Sequence, residues 1–122
     1  MRYLGIGIVV STIIVGAGHA LAACVAPFRF QVTSQGPWQA VGRIKAGATC
    51  SGSFNSSSTL IFRRLYLASA PQRGTVRLRE GGTYSYAAPA GYTGPDSFVL
   101  KVCGNQDGMD GCADIRYDMT IE

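Results

Sequence analysis

Histidine is nearly missing from the 122-residue sequence: there is one, His19, inside an apolar N-terminal stretch. Beyond that stretch no imidazole exists. This excludes Ser-His-Asp and Cys-His nucleophilic catalysis and removes the commonest zinc ligand. Charge is also scarce, at 15% of the chain against a usual ~25%. No window holds a sustained 3.6-residue apolar period, so no helix is predicted. Without a helix to open, no glycine-rich loop can cradle a phosphate at a helix N-terminus. A carboxylate pair of the glycosidase kind would have to come from Glu80, Asp96, Asp107, Asp110, Asp114 or Asp118. Most of these fall in turns or on outward strand faces. The expectation is therefore no enzyme, no cofactor and no metal centre.

What is present begins with a leader. Arg2 is the only charge before Arg29, and Leu4–Val15 is an apolar run. Gly16-Ala17-Gly18 then precedes Ala20-Leu21-Ala22. A positive start, an apolar run and an A-x-A site make a secretory signal peptide. Residues 1–22 are read as that leader and 23–122 as a single domain. The competing reading is an uncleaved anchor, because residues 3–28 carry no acid, Lys or Arg and are long enough to span a bilayer. With the leader cleaved, no transmembrane stretch is expected. Losing Arg2 leaves ten basic residues against seven acidic, a net charge of +3. That permits an anionic partner without requiring one.

The remaining chain alternates and turns. Phe28–Thr33 alternates apolar with polar and is read as a strand. Further strands are expected over Trp38–Ile44, Cys50–Phe54, Thr59–Leu67, Gly74–Arg79, Thr83–Ala87, Phe98–Cys103 and Cys112–Ile121. Arg63-Arg64 interrupts the alternation of the fourth, which predicts a bulge or a change of face there. Asn55–Ser58 and Gly104–Gly111 are read as loops, and Glu80-Gly81-Gly82 as a tight hairpin turn. Seven or eight short strands at close spacing point to an all-β sandwich or barrel.

Four cysteines, Cys24, Cys50, Cys103 and Cys112, read as two disulfides in an exported chain. Strand parity chooses the pairing. Phe98, Leu100 and Val102 share one face, which leaves Cys103 on the other. Ile115, Tyr117, Met119 and Ile121 share one face, which leaves Cys112 on the other. A hairpin with its apolar faces inward sets both cysteines opposite each other on the outer face. Cys103 is paired with Cys112, and Cys24 with Cys50 by elimination. A rival fate exists for Cys24: Leu21-Ala22-Ala23-Cys24 resembles a lipobox, in which that cysteine is lipid-modified.

From Gly74 to Val102 the chain resembles the bacterial Ig-like and cadherin-like modules of cell-surface proteins. The shared pattern is Gly74-Thr75-Val76, then Gly82-Thr83-Tyr84-Ser85-Tyr86, then Pro89 and Gly91-Tyr92-Thr93-Gly94-Pro95-Asp96-Ser97-Phe98. The early cysteine and Cys50-Ser51-Gly52-Ser53 resemble small exported Ig-like proteins of soil and root-associated bacteria. The resemblance implies an Ig-like β-sandwich of about seven short antiparallel strands. It also implies that Asp96 bonds backbone amides at a corner before the penultimate strand. The calcium motif of cadherin-type modules is absent, so calcium does not carry over.

Three surfaces are candidates for function. Arg63, Arg64, Arg73, Arg77 and Arg79 would form one basic stripe if Thr59–Leu67 pairs with Gly74–Arg79. Such a stripe suits anionic polysaccharide, lipid headgroups or nucleic acid. Tyr84, Tyr86, Tyr92 and Trp38 could line a sugar platform, although alternating aromatics more often form the core. Asn105, Asp107, Asp110 and Asp114 could hold a hard cation, but their spacing is not that of an EF-hand, and turn formation explains them. The function expected is a non-catalytic binding or structural module of the cell envelope, periplasmic or secreted. Its partner is left open, with envelope polysaccharide and another envelope protein as the candidates. The alternatives are an anion- or carbohydrate-binding protein using the arginines, and a small inhibitor presenting the 104–111 loop.

Overall fold

A computed structural model describes residues 24–54 and 59–122. The expected leader with its cleavage site, His19, and the loop expected at Asn55–Ser58 lie outside these residues. Seven strands run β1 Trp38–Ile44, β2 Thr49–Ser53, β3 Leu60–Ser69, β4 Thr75–Arg79, β5 Thr83–Ala87, β6 Gly94–Gln106 and β7 Met109–Ile121. They form a four-stranded sheet in the order β1-β7-β6-β3 and a three-stranded sheet in the order β2-β5-β4. The all-β sandwich reading holds. Among the described residues, no helix is long and apolar enough to cross a membrane.

The core lies between the sheets, where alternation delivers one face of each strand. Phe98, Leu100 and Val102 of β6 and Ile115, Tyr117, Met119 and Ile121 of β7 are buried. Tyr84 and Tyr86 enter from β5. Three of these rings stack in a row, with centroids 5.3 Å apart for Tyr86–Phe98 and 4.6 Å for Phe98–Tyr117. Each such ring buries ~150–250 Å², so this row makes a large share of the interior.

Three local expectations are corrected. First, Phe28–Thr33 is not a strand. Its apolar face does turn inward: Phe28 meets Tyr117 and Phe30 meets Phe54 edge to face, and Val32 is buried. The segment nevertheless belongs to neither sheet, and the Val32 amide donates to Gln106 Oε1 at 2.9 Å instead. Alternation reports one buried face, not a ladder partner.

Second, Gly104–Gly111 is not an eight-residue loop. Pairing continues from Cys103↔Cys112 through Gly104↔Gly111 and Asn105↔Asp110 to Gln106↔Met109. Only Asp107 and Gly108 turn, with φ of 53° and 85°. Two residues at positive φ make the hairpin turn whose twist matches its strands. Gly111 serves a different purpose: a Cβ there would collide with the Val32 carbonyl. The glycine gives clearance for the segment that crosses over the hairpin.

Third, the strands are neither all short nor all antiparallel. β6 and β7 are 13 residues each, and β1 runs parallel to β7. Cys24–Cys50 and Cys103–Cys112 are disulfides, the second spanning the β6–β7 ladder at directly opposed positions. Such bonds persist in oxidising compartments.

Candidate functional site at the bulged edge strand

β3 carries two adjacent arginines, Arg63 and Arg64, and a bulge determines where they point. Phe62 pairs with Gly104 and Arg64 with Cys103, which leaves Arg63 as an extra residue. Phe62 packs against the core, whereas Arg63 and Arg64 are both exposed. The inserted residue shifts parity by one, so Tyr66 also faces outward and is 43% exposed. Opposite it in register stands Lys101.

These side chains surround a hollow of about 470 Å³ on the outer face of the four-stranded sheet, lined by Arg63, Arg64, Tyr66, Lys101, Asp110 and the Cys103–Cys112 disulfide. Arg64 Nη1 donates to the Tyr66 hydroxyl at 3.2 Å. Among the described residues the ion pairs are Arg43–Glu122 and Arg116–Asp118, and neither involves the cations of the hollow. The lining acid, Asp110, accepts from Asn105 Nδ2 at 2.9 Å. Three cations beside an exposed phenol ring are suited to an anionic ligand with a face to stack, because guanidinium forks match carboxylate and sulfate oxygens.

The single five-arginine stripe does not form. β3 pairs with β6 and β4 with β5, so Arg63 and Arg64 belong to one sheet, Arg77 and Arg79 to the other. Both strands are sheet edges, but the two pairs sit on opposite outer faces. Arg73 is in the β3–β4 turn, its guanidinium 4.6 Å from the centroid of the Tyr92 ring.

Asp96 is 8% exposed and anchors that same turn. Its Oδ1 accepts the amides of Gln72 at 3.1 Å, Arg73 at 3.3 Å and Ser97 at 3.1 Å. Its Oδ2 accepts the Gly74 amide at 2.9 Å and the Tyr86 hydroxyl at 2.7 Å. Burial alone would raise its pKa, but the Tyr86 hydroxyl and the amides of Gly74, Arg73 and Ser97 outweigh it and hold the carboxyl below the usual range. Burial, with the Asp96 contact added to it, pushes the Tyr86 hydroxyl well above the ordinary phenol value.

Residues 42–120 match the family model described as the bacterial Ig domain. The chain belongs to the bacterial Ig domain family. A search of curated proteins finds no match. Ig domains of this family are generally non-catalytic.

Within this Ig domain the other candidate surfaces take structural places. Tyr84 and Tyr86 are in the core, and Tyr92 is partly buried, its hydroxyl donating to the Pro95 carbonyl at 2.9 Å. Trp38 is partly buried, and its Nε1 donates to the Ser34 carbonyl at 2.9 Å. Asn105 uses both ends of its amide at the hairpin tip, its Oδ1 accepting from the Gly108 amide at 3.1 Å. Among the described residues, no group of three or more His, Cys, Asp or Glu side chains could hold a metal ion. Sequence reasoning passed over Tyr66. Counting by twos from Phe62 places it inward, and only the bulge reverses that. Parity with Cys103 puts Lys101 on the outer face, but its neighbours on β3 depend on a pairing no local pattern gives.

Proposed function

We propose that this Ig domain is an exported, non-catalytic binding module of the cell envelope that holds an acidic polysaccharide in the hollow beside the β3 bulge. Residues 1–22 are removed as a leader, and 23–122 fold outside the cytoplasm, in the periplasm or secreted. Two disulfides support an oxidising compartment. The bond from Cys24 to Cys50 supports cleavage after Ala22 over lipid attachment at Cys24. The observation that carries the binding reading is the convergence of Arg63, Arg64 and Lys101 on one hollow beside Tyr66, with no ion pair among the described residues to neutralise them.

The inhibitor reading is disfavoured, because the two-residue Asp107-Gly108 turn leaves no extended loop to present. Retention on immobilised heparin tests the proposal. The mature domain should elute at a salt concentration that falls clearly in Arg63→Ser/Arg64→Ser. Elution unchanged by that double substitution would remove the hollow as the site. Mass spectrometry of exported protein should give an N-terminus at Ala23 and no thiol at Cys24.

A further inference from the structure

The outer face of the three-stranded sheet is unlike its counterpart. Tyr84 and Tyr86 of β5 and Cys50 of β2 point inward and are buried, so the alternate positions face out. Register sets them in rows: Ser51–Ser85–Arg77, then Ser53–Thr83–Arg79. A third row adds two threonines and an alanine. The face thus holds hydroxyls and, at one rim, two guanidiniums. Among the described residues, its outward strand positions carry no carboxylate and no large apolar side chain. The other sheet's outer face is mixed in charge, with Asp114, Arg116 and Asp118 alternating along β7.

Rows lie about 6.8 Å apart along the strands and hydroxyls about 4.8 Å apart across them. That makes a flat lattice of short donors and acceptors, which lose little rotamer freedom on contact. Single-stranded nucleic acid would need aromatic rings to stack on, and a lipid surface would need apolar side chains to insert. Neither is present here. A hydroxyl-rich chain carrying carboxylates fits both the lattice and the rim.

We propose that this face is a second site for acidic polysaccharide, and that one domain therefore bridges two polymer chains. The ligand class rests on the function proposed above, but the residues do not. The two sites are on opposite faces of a sandwich whose sheets pack about 10 Å apart, so a single short oligomer cannot fill both.

Calorimetry with a short oligogalacturonate counts the sites, and light scattering with long polygalacturonate reads the bridging. The full mature domain should bind two oligomers and scatter most at an intermediate ratio of protein to polymer. Arg77→Ser/Arg79→Ser should weaken binding at this face about tenfold, leave the other site unchanged and lower the scattering maximum. Ser51→Ala/Ser85→Ala keeps both charges and should weaken this face about fivefold. All these side chains point outward, and an unchanged Tm confirms that each variant folds.

One site in the unaltered domain, lost in Arg63→Ser/Arg64→Ser and untouched by Arg77→Ser/Arg79→Ser, overturns this inference and leaves the hollow standing. One site with the reverse pattern overturns the hollow and supports this face. No binding by the unaltered domain overturns both. Tighter binding to anionic vesicles or single-stranded DNA than to the uronate overturns the ligand class.

Discussion

Replacing Asp96 with asparagine isolates the charge of the corner from its shape. The carboxylate takes five hydrogen bonds, three on Oδ1 and two on Oδ2. Asparagine has one acceptor oxygen and one NH2 group. Its cheaper orientation keeps the oxygen toward Gln72, Arg73 and Ser97 and turns the NH2 toward the Gly74 amide and the Tyr86 hydroxyl. The hydroxyl can rotate and accept, but the amide cannot. A lost charge-assisted bond costs about 1.5–3 kcal/mol, and a stranded donor about 1–3 kcal/mol. The expected loss is therefore roughly 3–5 kcal/mol, a large part of the 5–15 kcal/mol typical of a domain. For a chain of this size that lowers Tm by about 15 °C. Urea and thermal unfolding followed by circular dichroism measure it.

The effect also has a pH signature. The folded pKa of Asp96 lies below its usual value, so its stabilisation is complete above the unfolded pKa of about 4 and is lost as pH falls through the folded pKa. The gap between the natural domain and Asp96→Asn should be constant near neutrality and close below about pH 4. A Tm loss under about 3 °C, or a gap that widens in acid, would refute the reasoning.

Other outcomes follow from the same contacts. Breaking Cys24–Cys50 by serine substitution should cost about 3.5 kcal/mol, and breaking Cys103–Cys112 about 2.5 kcal/mol, because the first closes a longer loop; urea midpoints should rank them in that order. Gly111→Ala drives a Cβ into the Val32 carbonyl and should cost about 1–3 kcal/mol, read by fluorescence of the single tryptophan, Trp38. No change there would mean that the 28–32 segment does not cross the hairpin.

The β6–β7 hairpin was legible because a period of two fixes faces without knowledge of partners: once Phe98 and Ile115 point inward, Cys103 and Cys112 must meet outside. Where the sequence misled, one residue type served two purposes. Gly104 and Gly111 look like turn formers and are paired residues at places with no room for a side chain. Phe28, Phe30 and Val32 alternate as a strand would, yet they cover the core and enter no ladder. The arginine surface failed for another reason. Which strand lies beside β3 is a non-local fact, and nothing near Arg63 or Arg77 in the chain reveals that their strands belong to different sheets. The bulge at Arg63 was readable as an irregularity, but its consequence, Tyr66 turned outward beside Lys101, required the register.

The most direct test of the binding surface is an amide-resolved NMR titration of the mature domain with a short oligouronate at low salt. The account predicts that resonances of Arg63, Arg64, Tyr66, Lys101, Cys103 and Cys112 shift saturably and return as salt is added. Shifts confined to the Asp107-Gly108 turn, or none at all at millimolar ligand, would contradict it.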